Sequence, residues 1–271
     1  MKVFSVVLAT HNEALNLETC LASIANLADE IVIVDGDSTD ETTTIAKSYG
    51  ARIISTTNKI NFHINKQLAI DAATGELVLQ LDADEVVDAE LVSFLEQLKQ
   101  KQQQQALPLQ PVAWFLRRKN FLFGRWLSKG GQYPDPVIRL FKKGMAHLPQ
   151  ADVHEQMKVD GEIGTAPGHL LHYSYPTFAD YVHKFNTYTS FSAIQLASAS
   201  TKTATSPLVY RYFIGKPIVT FYSLYLRHRG YVDGMAGFVF AVMSALHHPF
   251  VYLKYWEITE KNRLKYKKSV P

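Results

Sequence analysis

The chain has 271 residues and a mass of 30.6 kDa, enough for one large domain or two small ones. Hydrophobic residues make up 47% of it and charged residues 20%, which excludes a disordered chain, and a net charge of +3 is too mild to argue for nucleic-acid binding. Cys20 is the only cysteine, so an intramolecular disulfide and a four-cysteine zinc site are both excluded, and a reducing compartment suits it.

The first apolar run, Val3 to Ala9, has a single lysine before it and meets His11, Asn12 and Glu13. It reads as a core strand rather than a signal peptide. Three similar runs follow at Ile31–Val34, Arg52–Ile54 and Leu77–Leu81. Continuous aliphatic strands of this kind suit a sheet covered on both faces. Helical patterns lie between and after them. Asn16–Ile24 puts Leu17, Leu21 and Ile24 on one side, and Ser38 with Glu41 has capping-box spacing ahead of Ile45 and Ala46. Asn65–Ala73 ends near Gly75, a C-cap candidate, and Asp88 can cap a helix carrying Leu91, Leu95 and Leu98. The alternation predicts an α/β fold with a mostly parallel sheet flanked by helices.

Beyond the glutamine-rich stretch Gln100–Gln110, expected to be a hinge or loop, Val112–Arg117 and Val137–Phe141 read as strands. From Thr177 onward helices dominate, with Phe178, Tyr181, Val182 and Phe185 as one apolar stripe, and Ala197–Ser206 reads as a linker. These changes divide the chain into a domain over 1–206, with halves 1–100 and 111–206, and a helical region over 207–271. That last region carries 10 basic and 3 acidic side chains, against 18 and 22 in residues 1–206. It also holds twenty residues without formal charge, Gly234 to Leu253, but His247, His248 and Pro249 interrupt them. A simple bilayer span is therefore disfavoured, and a basic, aromatic-rich segment lying on an anionic membrane surface is expected. The alternative is a helix hairpin that covers the sheet or forms a homodimer interface, where Gly230, Gly234 and Gly237 would permit close contact.

Ligands of an open parallel sheet collect beyond the carboxyl ends of its strands. Three polar corners are predicted there: Thr10-His11-Asn12-Glu13, Asp35-Gly36-Asp37-Ser38 and Asp82-Ala83-Asp84-Glu85. Each is weak alone, since Asp and Asn also make turns and caps. Asp82 and Asp84 are alternate residues leaving a strand, so both carboxylates can face one site. Paired carboxylates repel unless a cation compensates, and Mg²⁺ or Mn²⁺ shared with substrate phosphates is the natural partner.

These segments resemble a known family. VVLATHNEALNLETCLASI, EIVIVDGDSTDET and INKQLAIDAATGELVLQLDADE, in this order, are similar to the donor-binding half of family 2 inverting glycosyltransferases of GT-A fold. PDPVIRLFKKG, DVHEQM, LLHYSYPTFADYVHKFNTYT and GYVDGMAGFVFAV resemble the bacterial subgroup that includes lipopolysaccharide-core β-glucosyltransferases. The resemblance implies a UDP-sugar donor, with glucose first, and a lipopolysaccharide-core or other lipid-linked saccharide acceptor. It implies a cytoplasmic enzyme on the inner face of the cytoplasmic membrane. Carried across, Thr10, His11, Asn12, Glu13 and Asp35 line the nucleotide pocket, Lys66 meets the pyrophosphate, Asp82 lies by ribose and metal, and Asp84 is the principal metal ligand. His172 is a further metal or phosphate contact, and His154 a contact to donor sugar or acceptor. Many relatives carry Tyr-Asn-Glu where this chain has His11-Asn12-Glu13; histidine can still stack on a base. A single inverting displacement needs one general base, for which Glu155 is first choice, Asp152 second and Asp135 third. Arg117, Arg118 and Lys119 form a basic edge able to attract a phosphorylated acceptor. Two rivals stay open: a non-catalytic nucleotide-sugar or membrane binder, and a nucleotidyltransferase. The second expects a glycine-rich basic loop after the first strand, where this chain has Thr-His-Asn-Glu.

Overall fold

The computed structural model describes residues 2–59, 61–104, 110–149, 156–199 and 206–269. Asp152, His154 and Glu155, with part of the glutamine-rich stretch and of the expected linker, lie outside the described residues. The chain forms two compact units, residues 1–119 with 134–172, and residues 120–133 with 173–271.

The first unit is built on a mixed sheet. Its parallel half contains β1 (Phe4–Thr10), β2 (Glu30–Asp35), β3 (Arg52–Ser55) and β4 (Leu77–Leu81), in the order β3-β2-β1-β4. The order then continues through β8 (Asp135–Lys142), β6 (Ala113–Leu122), β11 (Ile163–Tyr175) and β5 (Glu85–Val87). Pairing turns antiparallel at β4–β8 and stays so at β8–β6 and β11–β5, while β9 (Ala146–His147) and β10 (Lys158–Val159) form a separate antiparallel pair. Helices α1 (Ala14–Ala22), α2 (Thr42–Ser48), α3 (His63–Ala72) and α4 (Ala89–Gln103) flank it. All of β4 and β2 is buried, which is why those strands lack the polar alternation of a half-exposed sheet. Leu8, Leu17, Leu21, Leu79, Leu91 and Leu95 are fully buried in one cluster, and each such side chain contributes about 1.5–3 kcal/mol.

Two pairs of polar residues mark the opposite ends of β1 and β2. Ser5 and Glu30 are in register at the start of β1 and β2, where Ser5 Oγ donates to Glu30 Oε2 at 2.7 Å. Glu30 also accepts from Thr74 and pairs with Lys2 and Arg52. Burial works to raise its pKa, but these donors outweigh it and hold the carboxyl at about 2. Five residues on, Thr10 and Asp35 are in register at the carboxyl ends.

Several local expectations change. Ser38 and Glu41 form no capping box: Ser38 turns back to Asp35, and α2 starts at Thr42 with no side-chain cap from Glu41. Gly75 is not a C-cap; Ala73 occupies that place, and a Cβ on Gly75 would sit 2.7 Å from Ser5 Oγ. Helix α4 runs on to Gln103, because glutamine is a good helix former, so the polar stretch begins as a last helical turn rather than a loop. Asp88 does cap α4, accepting from the Leu91 amide at 2.9 Å. Between Asp84 and the Asp88 cap the chain makes the short strand β5.

The second unit is helical. A short β7 (Arg125–Trp126) precedes α5 (Phe178–Ala199), α6 (Ser206–Tyr210), α7 (Lys216–Phe221) and α8 (Gly234–Ser269), with π-type turns over 211–215 and 222–227 and a 3₁₀ turn over 230–233. The expected linker is thus helical through Ala199. Buried Asp233 accepts from the Ser128 amide and hydroxyl and from the Lys129 amide at 2.8–3.1 Å. Gly237 must be glycine, since a Cβ there would meet the Gly230 carbonyl oxygen at 2.0 Å. Gly230–Glu260 is long and apolar enough to cross a membrane by length and composition, and a third of its most apolar window is buried.

Candidate functional site

The carboxyl ends of β1, β2 and β4 bring two polar corners together within the first unit. At the first, Asp35 is buried and accepts from the Thr10 hydroxyl at 3.2 Å, the Ser38 hydroxyl at 2.6 Å and the Ser38 amide at 2.9 Å. These are three neutral donors against roughly four lone-pair sites on a carboxylate. The Gly36 amide donates to the Thr10 carbonyl at 2.8 Å, and a Cβ on Gly36 would press on Thr10 and Asn58 at 3.1–3.2 Å. His11 Nδ1 lies 2.8 Å from the Gly36 carbonyl. Asn12 takes a positive φ of 55°, a conformation asparagine tolerates, and its side chain accepts from the Thr39 amide. The Glu13 amide donates to Thr42 Oγ1, and Glu13 Oε2 accepts from Asn16. The residues of this corner thus fix one another's loops across β1 and β2.

The second corner is ionic. Asp82 Oδ1 pairs with Lys66 and accepts from Gln80 Nε2, while Oδ2 takes Arg139 at 2.5 Å. Arg139 also reaches Glu85 at 3.1 Å and donates to Gln80 Oε1. Glu85, with a fully buried side chain, accepts from the Asp82 amide at 3.0 Å and lies 3.6 Å from Arg118, which in turn holds Asp135 at 2.7 Å. Burial alone would raise the Asp82 pKa, but the charges of Arg139 and Lys66 hold it well below the carboxylate range. Burial lowers the pKa of Lys66, partly offset by Asp82. Arg139 goes the other way: burial would lower its pKa, and Asp82 and Glu85 raise it above the ordinary guanidinium value.

Asp84 faces a different neighbour. Its Oδ1 lies 3.6 Å from His172 Nε2, and His172 is in register with Glu85 across β11 and β5. Among the described residues no three His, Cys, Asp or Glu side chains gather as a ready metal cage. One carboxylate and one imidazole side by side fit a divalent ion that draws its remaining ligands from phosphate and water.

Of the residues singled out from sequence, Thr10, His11, Asn12, Glu13 and Asp35 share one corner, Lys66 and Asp82 the other, and Asp84 pairs with His172. Asp135 is engaged by Arg118. Glu85 closes the Asp82-Ala83-Asp84-Glu85 corner read from sequence, but sequence reasoning did not single out Gln80 or Arg139 for this site. Their only signal was a polar residue inside each of two otherwise apolar strands, LVLQL and VIRLF.

Comparison with known proteins agrees with this architecture. The sequence profile described as glycosyl transferase family 2 matches residues 5–143. The lipopolysaccharide core biosynthesis glycosyltransferase LpsC of Rhizobium meliloti is 28% identical over 269 residues, covering 96% of this chain and 93% of its own. An uncharacterized glycosyltransferase of Rickettsia typhi, RT0209, is 27% identical over 272 residues, covering 97% and 90%. Among solved structures, the mannosyltransferase PcManGT from Pyrobaculum calidifontis, in complex with GDP-Man and Mn²⁺, superposes with a TM-score of 0.51 at 15% identity, covering 94% of this chain and 87% of that one.

Proposed function

The chain belongs to glycosyl transferase family 2 and has the GT-A fold, and from that premise we propose that it moves a hexose from a UDP-sugar to a lipopolysaccharide-core or other lipid-linked saccharide with inversion. The observation that carries this reading is the contrast between Asp82, saturated by Lys66 and Arg139, and Asp84, set beside His172 at the same strand end. Asp84 and His172 would hold Mg²⁺ or Mn²⁺. When bound, such an ion neutralises charge that grows on the departing diphosphate. Lys66 lies one residue from Asn65 on α3 and brings a second positive charge to the diphosphate side, with Asp82 orienting it. Asp35 retains acceptor capacity for an N–H of the base, and His11 offers a ring to stack on it.

In the chemical step the acceptor hydroxyl oxygen bonds to the anomeric carbon as the bond to the diphosphate breaks, and the hydroxyl proton passes to a carboxylate. Glu155 is the proposed base, with Asp152 and then Asp135 behind it. Glucose as the sugar agrees with the sequence resemblance. The LpsC similarity supports a lipopolysaccharide-core acceptor. The basic, aromatic-rich 207–271 region favours a peripheral position on the inner face of the cytoplasmic membrane. The domain division 1–206 and 207–271 is proposed on the same change of composition and charge.

Calorimetric titration of UDP-glucose with and without Mn²⁺, into the wild type and Asp84→Asn, tests the reading. Metal-dependent binding that the substitution weakens about tenfold, roughly 1.4 kcal/mol, is expected. Equal binding in all four experiments would remove the metal role of Asp84. Transfer of labelled glucose to isolated lipopolysaccharide core, lost in Glu155→Gln with donor binding intact, tests the acceptor and the base.

A further inference from the structure

An open cavity of about 400 Å³ is lined by residues of the helical unit alone: Ser192, Gln195 and Leu196 of α5, Tyr212, Lys216 of α7, and His247, His248 and Val251 of α8. None of these residues is acidic. The Lys216 ammonium sits 4.0 Å over the Tyr212 ring, and no carboxylate pairs with it among the described residues. A cation held by a ring face keeps its charge available to an anion. The Thr220 hydroxyl lies 2.9 Å from His248 Nε2, fixing that imidazole at the wall. Burial, and then the charges of Lys216 and His247, push the His248 pKa down to about 4.

The chain around the cavity is amphiphilic. Phe213, Ile214, Ile218 and Val219, on the turns that flank Lys216, are 41–67% exposed, and Phe250, two residues from His248, is 44% exposed. A soluble sugar phosphate has no use for such a border, whereas a lipid brings acyl chains with its phosphate. We propose that this cavity binds the phosphate of an anionic lipid headgroup, with Lys216 as the charged contact and Ser192, Gln195 and the two imidazoles as hydrogen-bonding partners. The inference builds on the membrane-surface placement proposed above and gives it a defined lipid contact in place of a diffuse attraction.

Vesicle flotation and NMR separate the possibilities. The proteins are wild type, Lys216→Gln, Lys216→Arg and Arg227→Gln, the last removing an exposed charge that does not line the cavity. Circular dichroism verifies that each is folded. On vesicles of phosphatidylcholine doped with phosphatidylglycerol, Lys216→Gln should bind more than about tenfold more weakly than wild type. Arg227→Gln should lose no more than about fivefold, the effect of one basic residue near an anionic surface. Lys216→Arg should restore binding. Equal losses in Lys216→Gln and Arg227→Gln would overturn the cavity while leaving the membrane placement intact.

Dihexanoyl-phosphatidylglycerol below its micellar concentration should shift the imidazole signals of His247 and His248 saturably in wild type and not in Lys216→Gln. No shift would overturn the proposal, and the same shifts from inorganic phosphate at equal concentration would assign the site to free phosphate instead. A wild type that binds no vesicle yet shows the saturable lipid shift would remove the membrane placement and keep the headgroup site.

Discussion

Asp35 ends β2 and Asp82 directly follows β4, the parallel strands on either side of β1, yet the two are held by opposite means. Asp35 is satisfied by two hydroxyls and an amide, all neutral. Asp82 is gripped by an ammonium and a guanidinium, with a side-chain amide as a third donor. The neutral corner keeps a negative carboxylate in place without cancelling it, which suits recognition of a polar base edge. The ionic corner spends its carboxylate on positioning Lys66 and Arg139, so the net field there is set by Lys66, Arg139 and Arg118 against Asp82, buried Glu85, Asp135 and the nearby Asp84. Loss of a neutral donor leaves a small deficit; loss of a buried cation strands charge.

Arg139→Met should therefore have the largest effect on stability. Among the described residues it leaves Glu85, whose side chain is fully buried, with only the 3.6 Å contact to Arg118 as its ion pair, and it removes one of the two cations on Asp82. Denaturant unfolding should show a loss of about 3–5 kcal/mol. A loss below about 1 kcal/mol would mean the ionic corner is no tighter than a surface pair. Acid stability sharpens the same point. The Asp82 pKa is depressed in the fold, so its contribution is complete above about pH 4, the ordinary carboxylate value, and falls away as pH drops through the depressed value. Asp82→Asn should flatten that acid limb in unfolding curves collected down the pH scale. Asp84→Asn comes next and tests chemistry rather than folding. Turnover should fall on the order of a hundredfold, roughly 2.7 kcal/mol, while the unfolding midpoint barely moves. A large stability loss with unchanged turnover would reverse the roles assigned to the two aspartates.

The sequence announced the parallel half of the sheet because strands covered on both faces must be apolar throughout, and β1, β2 and β4 are nearly so. It announced the Asp88 cap because the donor is only three residues away. Ser5, Gln80 and Arg139 were opaque for the opposite reason. Each is a polar residue on a core strand whose partner lies far along the chain: Ser5 bonds Glu30 25 residues on, and Arg139 reaches back 59 residues to Gln80 and 57 to Asp82. No local pattern records such pairings. The antiparallel turn of the sheet at β8 was equally hidden, since pairing direction depends on which strands meet and not on what either contains. The three polar corners were legible as a set, but their division into a neutral and an ionic one depended on Arg139.

The neutral corner gives the smaller effects. Asp35→Asn exchanges a carboxylate for an amide whose nitrogen cannot accept from Ser38 or Thr10. UDP-sugar affinity should drop about tenfold, or 1.4 kcal/mol, by calorimetry. Thr10→Val is the mildest test. Valine keeps the β-branched shape that β1 favours and removes one hydroxyl, so the hydrogen bond to Asp35 disappears and Ser38 still supplies two donors. A neutral bond of this kind is worth about 1 kcal/mol. Unfolding should show about that loss, and donor affinity should stay within about twofold, because Asp35 keeps its charge and its anchor on the Ser38 loop. A loss as large as that of Arg139→Met would mean that Asp35 depends on Thr10 as Asp82 depends on its cations, and the distinction between the two corners would collapse.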